Sequence, residues 1–402
     1  MKIRFEKDVL LSALTPAMSA VSDKNTISAI EGFLFTTEGD DRCTISSYDL
    51  EKGFRMTVDA QVNEGGSYII NAQKLYRIVR MMPDRYIDIE VGDKKSAKIS
   101  SGKSEFSLMA LMGGEFPALP ELSGEKAFTL PQNVLRKMIA QVSHAISVGD
   151  QRPVLSGAYF RISSNKMTVV ACDGNRLAIR EREVKIRVRS EEDEGKIISF
   201  IVPGKTLGEL MKMIGDTDED VSLVFGRKHI IFTFEDKLFF SRLIDGDYIN
   251  YDRVIPKNNN IKVVIGRDEL IDSLERASLV TEDKSMGQVR SYVRCNFEEN
   301  LLKVSSASSV SSVYDEIECE KTGDDLIIGF NCRYLLDALR AIGDDKILLS
   351  LSTPLLSMVI EKAPEEEAPE EADAEEAEKE EKEEKEDEGS YLYMVCPVKM
   401  KE

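Results

Sequence analysis

The chain has 402 residues, 42% of them apolar, and a net charge of −19. That apolar share supports real cores, no apolar run is long enough to span a bilayer, and the length suits three domains of about 130 residues each. Cys43, Cys172, Cys295, Cys319, Cys332 and Cys396 show neither paired nor metal-like spacing, which suits a reducing, cytoplasmic setting.

From the amino terminus, Lys2, Arg4 and Lys7 precede an apolar stretch as in a signal peptide, but Glu6 and Asp8 interrupt the basic region. Residues 8–20 read better as a first helix. The short apolar run 68–70 leads into Asn71-Ala72-Gln73-Lys74, which opens a second helix burying Leu75, Ile78, Val79 and Met82. A strand at 87–91 follows, and Gly114-Glu115-Phe116-Pro117 closes the unit. The same plan then returns. A helix at 132–147 carries Leu135, Met138, Ile139 and Val142 at helical spacing, and alternating segments at 157–162 and 167–171 read as strands. The run 197–202 leads into Pro203-Gly204-Lys205 and a helix burying Leu207, Leu210 and Ile214; a strand at 221–225 follows, and Gly246-Asp247-Tyr248 through Ile255-Pro256 closes the unit. In the third copy the helices are 267–280 and the one opened by Phe330-Asn331-Cys332-Arg333, which buries Leu335, Leu339 and Ile342. Strands at 347–351, 357–361 and 391–398 complete it. Each unit thus predicts two helices and roughly eight strands, an α+β fold of three repeats with domains at 1–122, 125–256 and 257–402.

Charge is unevenly spread. Residues 365–388 hold 16 acidic side chains against three lysines, so this segment carries −13 of the total and leaves −6 for the rest. It predicts a disordered acidic insert at 364–389, either a tolerated solvating loop or an electrostatic screen. The cations gather elsewhere, on the second helices: Lys74, Arg77 and Arg80; Lys205 and Lys212; Arg333 and Arg340. A cation in a helix's first turn opposes the helix dipole, so its recurrence three times asks for an anionic partner, with phosphate the first candidate. Ordinary solvated faces are the plainer alternative for any one helix. His144 and His229 stand alone, and no phosphate loop, nucleophile elbow or zinc-ligand cluster appears, so neither cofactor, metal nor catalysis is expected. Asp173-Gly174-Asn175-Arg176 lacks the further oxygens of a calcium loop and reads as a turn.

Leu155-Ser156-Gly157, Cys172-Asp173-Gly174-Asn175-Arg176-Leu177-Ala178, Gly246-Asp247-Tyr248 with Arg253-Val254-Ile255-Pro256, Phe330-Asn331 with Tyr334-Leu335-Leu336-Asp337, and Pro397-Val398-Lys399-Met400 together resemble the bacterial DNA polymerase III beta subunit, the replication sliding clamp. The resemblance runs in order through the chain, interrupted by the acidic insert. It implies sliding-clamp domains, helices packed on antiparallel sheets, that close a ring as a homodimer around duplex DNA without reading sequence. It implies a processivity factor, not an enzyme, placed by a clamp loader and serving the DNA polymerase III catalytic subunit and other clamp-motif proteins.

By the same resemblance, Lys24, Lys74, Arg80, Lys205, Lys212, Arg276, Arg333 and Arg340 face DNA, and Phe106 and Leu108 meet Leu279 and Val280 at the dimer joint. Partner peptides bearing Gln and Leu would dock among Arg152, Leu155, Cys172, Gly174, Asn175, Arg176, Leu177, Pro256, Asn331, Tyr334, Leu355, Ser357, Met394, Cys396, Pro397, Val398 and Met400. Departures from the family pattern fall in and beside this set: Thr is usual at Cys172, Met at Cys396, and Arg-Leu at Lys399-Met400. Two other classes rank lower, a peptide-binding scaffold that never encloses DNA and an enzyme with an unrecognised site. Salt-resistant retention on circular DNA separates the first from a clamp, and a turnover activity would reveal the second.

Overall fold

A computed structural model describes residues 1–22, 27–92, 95–119, 126–163, 165–184, 187–188, 197–226, 228–281, 292–308, 311–364 and 389–400. Among these, one order of elements occurs three times: strand, helix, five strands, helix, three strands. Repeat one comprises β1 (Lys2–Glu6), α1 (Lys7–Ala17), β2 (Gly32–Glu38), β3 (Arg42–Tyr48), β4 (Lys52–Asp59), β5 (Gln61–Glu64), β6 (Ser67–Asn71), α2 (Ala72–Met81), β7 (Tyr86–Val91), β8 (Ser96–Ser101) and β9 (Ser104–Met112). Repeat two comprises β10 (Lys126–Pro131), α3 (Gln132–Ser143), β11 (Gly157–Ser163), β12 (Lys166–Cys172), β13 (Arg176–Glu183), β14 (Arg187–Val188), β15 (Ile198–Pro203), α4 (Gly204–Met213), β16 (Asp220–Phe225), β17 (His229–Phe234) and β18 (Lys237–Arg242). Repeat three comprises β19 (Ile261–Gly266), α5 (Arg267–Thr281), β20 (Val293–Glu298), β21 (Leu301–Ala307), β22 (Ser312–Glu318), β23 (Glu320–Thr322), β24 (Leu326–Phe330), α6 (Cys332–Arg340), β25 (Lys346–Leu351), β26 (Met358–Lys362) and β27 (Ser390–Val395).

The helices form where period and caps agree. On α2, Ala72, Leu75 and Val79 are buried while Lys74, Arg77 and Arg80 are exposed, and the Asn71 side chain caps the helix by accepting the Lys74 N–H at 3.1 Å. Asn331 caps α6 in the same way through the Arg333 N–H at 3.1 Å. Three predicted spans run short. Helix α1 tightens into a 3₁₀ turn at Met18–Ala20, and α3 ends at Ser143, after which Ala145 and Ile146 donate to carbonyls three residues back. The last strand stops at Val395 because Cys396 N–H turns to Asn175 O, Pro397 has no N–H to give, and Val398 N–H goes to Gly329 O.

Two compact units divide the chain, residues 1–136, 187–194 and 205–243 in one, and 137–186, 195–204 and 244–402 in the other. They do not coincide with the repeats, because strands pair across repeat boundaries. In the first unit β18 of repeat two pairs with β4 of repeat one, within a 14-stranded antiparallel sheet. In the second, β27 of repeat three pairs with β13 of repeat two, within a nine-stranded sheet; a four-stranded sheet ordered β22-β21-β20-β24 is separate. The expected insert lies outside the described residues except for its edges. Its flanking strands β26 and β27 are antiparallel neighbours, with Ile360 opposite Tyr393. Gly389 re-enters the sheet at φ +71°, where a Cβ would lie 2.2 Å from Glu181 O, so only glycine fits.

Candidate nucleic-acid interface and partner cleft

Seven of the eight cations expected to face DNA are described, and all seven are exposed; Lys24 lies outside the described residues. In the first unit Lys74 and Arg80 stand on α2, Lys205 and Lys212 on α4; in the second, Arg276 is on α5 and Arg333 and Arg340 on α6. Their states differ. Lys74, Arg80, Lys205 and Arg333 make no ion pair among the described residues, Arg80 resting 5.6 Å over the Tyr76 ring. Lys212 pairs with Glu209 at 2.9 Å, Arg340 with Glu275 at 2.8 Å, and Arg276 grips the Asp315 carboxylate through Nε at 2.9 Å. Exposed pairs of this kind are weak and exchangeable. Of the seven, these four are the ones without a carboxylate partner among the described residues.

The expected peptide residues lie in the second unit. Leu155, Cys172, Leu177 and Met394 are buried together with Val170 and Val359, and Cys396 packs against them half-exposed. The strand register builds this cluster: Cys172 on β12 is opposite Leu177 on β13, which is opposite Met394 on β27. Beside it the Asp173 turn is held by its own carboxylate, which accepts the N–H groups of Asn175 at 2.8 Å and Arg176 at 3.0 Å, with Gly174 at φ +88°. The turn reading of that motif holds. Arg176 then spans from Asp173 (3.0 Å) to Asp337 (2.7 Å), its guanidinium 4.4 Å over the Tyr334 ring. This ties the turn of repeat two to α6 of repeat three. Burial and the nearby Arg176 charge hold the His144 imidazole down at about 4.

Other expected members lie around the cluster or farther off, Arg152 beside Gly174, where a Cβ would come within 3.1 Å of its guanidinium. Arg152 is exposed and chelated by Asp150 at 3.0 Å, which pulls the Asp150 carboxyl down to about 2. Met400 lies against Gly329, Val398 donates to Gly329 O, Pro256 is half-buried, and Leu355 is 82% exposed on a turn. Sequence reasoning missed Tyr248, Ile249, Tyr251 and Ile255, which line the same cluster, with Tyr248 stacked on Tyr159 at 5.2 Å. Their signal was the closing motif at 246–256, which served as a terminator and as a mark of the resemblance, with only Pro256 carried to the peptide set.

At the expected dimer joint the residues differ in exposure. Leu279 is 78% exposed and Phe106 45%, but Val280 is only 7% exposed. Helix α5 turns Leu270, Leu274, Ala277 and Val280 inward at helical spacing, so Val280 belongs to its own core.

Tandem modules joined strand to strand, each presenting a helix with exposed cations, are the architecture of a DNA clamp. The patterns of the DNA polymerase III beta subunit match here in order: its N-terminal domain at residues 1–120, its central domain at 129–250 and its C-terminal domain at 252–375. The beta sliding clamp of Staphylococcus epidermidis strain RP62A is 29% identical over 357 residues, covering 86% of this chain and 92% of that one. The crystal structure of the DNA polymerase sliding clamp from Bacillus subtilis aligns over 100% of both chains with a TM-score of 0.87 at 25% identity. That of the DNA polymerase III beta subunit from Pseudomonas aeruginosa aligns over 100% of both with 0.84 at 26%. The chain belongs to the bacterial DNA polymerase III beta subunit family. It is a non-catalytic sliding clamp, a homodimeric processivity factor that encircles duplex DNA and tethers the polymerase and other replication proteins.

Proposed function

We propose that the clamp closes by repeating, between two copies, the strand joint it makes twice within one chain, and that it works in the cytoplasm. At both internal joints the ninth strand of one repeat pairs with the fourth strand of the preceding repeat: Phe240 faces Gly53, and Met394 faces Leu177. That repeated register carries the proposal. It leaves β9 without a pairing partner along 104–109 on one flank, and β22 likewise on its outer flank, among the described residues. Counting back from the shared closing motif, Leu108 stands eight before Phe116 as Phe240 stands eight before Tyr248. Counting along the fourth strands from their hairpin partners, Ser312 takes the place of Gly53 and Leu177. Leu108 then faces Ser312 of a second copy, and Phe106 faces its Tyr314, which is 62% exposed in the single chain. Two unpaired edges and two exposed aromatic rings cover one another. Leu279, on the helix packed behind β22, adds its exposed side chain.

Domain bounds of 1–122, 125–256 and 257–402 follow from the recurring element order. Lys74, Arg80, Lys205 and Arg333, with the exchangeable Lys212, Arg276 and Arg340, supply phosphate contacts without base readout. The cluster around Leu177 and Met394 takes an apolar partner peptide.

The register is tested by a chain carrying Phe106→Cys and Tyr314→Cys. Residues directly opposite on antiparallel strands have Cα atoms about 4.5–5.5 Å apart, within disulfide reach. Mild oxidation should give covalent dimers from the double variant and none from either single variant. Equal cross-linking of single and double variants would overturn the register.

A further inference from the structure

The sheet face that carries the Leu177 cluster continues beyond it. Side chains on one face of a strand recur every second residue, so the register of β11, β12, β13 and β27 sets them out in rungs. Cys172, Leu177 and Met394 form one rung, and Tyr159, Val170, Ile179 and Leu392 the next, all within a single apolar cluster. The third rung changes character: Arg161 stands opposite Thr168, and Thr168 opposite Glu181. With Ser163, Lys166 and Ile197, these three residues line a cavity of about 180 Å³. Tyr251 joins the two regions. Its ring lies 6.3 Å from that of Tyr159; burial first, then Asp252 and Tyr159, raises its phenol, and Arg161 and Glu181 lie close enough to act on it in opposite directions.

Inside the cavity the carboxylate is satisfied and one cation is not. Glu181 accepts from Lys166 Nζ at 2.5 Å and from Thr168 Oγ1 at 3.1 Å, while Ser163 Oγ donates to the Lys166 carbonyl at 3.2 Å. Arg161 is exposed and makes no ion pair among the described residues, so its planar fork of donors is open. Ile197, 58% exposed, adds an apolar wall. Two cations, one carboxylate and an apolar wall fit the short stem and carboxylate of an acidic side chain.

We propose that this cavity is a further anchor point of the partner cleft, where Arg161 takes the carboxylate of an Asp or Glu that a partner peptide carries about four residues from the leucine seated over Leu177 and Met394. This rests on the reading of the Leu177 cluster as the peptide cleft. The third rung lies four residues along β13 from Leu177, about 14 Å at the rise of a strand. An extended peptide rises by the same amount per residue, so its side chain four positions from the leucine points to the same face at the height of Arg161. The guanidinium can then hold both carboxylate oxygens, with Lys166 adding its charge while it keeps Glu181. Partners that share the apolar anchor are thereby sorted by the acidic residue they carry beside it.

The test uses the full-length protein and three fluorescent peptides of one composition, each with one glutamine, two leucines and one aspartate. Two place the aspartate four residues before or four residues after the last leucine; the third moves it to the far end of the peptide, so that all three meet the same overall charge. One of the first two should bind roughly three- to tenfold tighter than the third, and the advantage should shrink in about 0.5 M salt. Arg161→Glu should abolish the advantage and confer one on the same peptide with lysine in place of aspartate. Equal affinity of all three for the wild type would overturn the proposal, whether the cavity is out of reach or carboxylates of residues 191–194 of this chain already fill it. An advantage that survives Arg161→Glu would overturn it too. Absence of binding by any of the three, in a protein whose circular dichroism is intact, would instead reject the cleft reading, and the proposal would fall with it.

Discussion

Leu177 shows how a single side chain joins three strands. It lies on β13, is 1% exposed, and bridges Cys172 of one neighbouring strand to Met394 of the other. Truncating an anchor in such a cluster removes contacts on both sides, so Leu177→Ala should weaken peptide binding by about 2 kcal/mol or more. Fluorescence anisotropy measures this. The dimer mass should not change, because the proposed joint uses other strands. His144 gives a second, pH-dependent prediction. Its ring lies 5.6 Å from that of Tyr393, and burial first, then the Arg176 charge, lowers its pKa from 6.5 to about 4, against the smaller opposing pull of Asp337 and Asp173. A depressed folded pKa means that the neutral imidazole is what the fold accepts. Its contribution is thus fully present above pH 6.5 and is lost as pH falls towards 4, an effect of roughly 3 kcal/mol. Urea midpoints of the wild type between pH 7 and 4 should fall more steeply than those of His144→Gln. Parallel curves would assign the acid sensitivity to the carboxylates.

At the scale of elements, sequence legibility follows the range of the interactions. The helices were legible because their signals are local: Asn71 and Asn331 cap, and Leu75, Val79, Leu335 and Leu339 recur at helical spacing. Strand pairing between repeats was not, since register is a contact between segments far apart in sequence. For the same reason Tyr248 and Tyr251 were missed beside the Leu177 cluster. Register also sets the first internal joint apart from the second. Where the second has Cys172, Leu177 and Met394, the first has Tyr48, Gly53 and Phe240 in matching positions. Phe240 is wholly buried with Tyr48 at 5.5 Å, and a Cβ on Gly53 would come within 2.1 Å of the Phe240 ring. The aromatic ring occupies the space that glycine vacates. Gly53→Ala should therefore destabilise the protein by about 1–3 kcal/mol through overpacking. In combination with Phe240→Leu the loss should be less than the sum of the two single losses. Urea denaturation of the double-mutant cycle decides this, and strict additivity would mean that the two sites do not share that space.

For the whole molecule the electrostatic problem is how a chain of net charge −19 surrounds a polyanion. Composition gives part of the answer, because −13 of that charge falls within residues 365–388. Helix patterning supplies the rest: Lys74, Arg80, Lys205 and Arg333 stand exposed and unpaired among the described residues, while Lys212, Arg276 and Arg340 are satisfied by nearby carboxylates. Exposed cations of this kind would give a weak and salt-sensitive grip, which suits motion along DNA but cannot by itself hold the protein there. Retention must then come from closure. Once placed on a closed circular duplex by a clamp loader, the protein should survive a wash in about 1 M salt, where the screening length is only about 3 Å. It should leave within the same wash after the circle is cut once, because a linear duplex has ends to slide off. Gel filtration of labelled protein with the DNA before and after cutting gives the comparison. Equal loss from circle and line would show that phosphate contacts, not encirclement, had been holding it, and equal survival on both would mean a tight contact that these exposed cations do not provide.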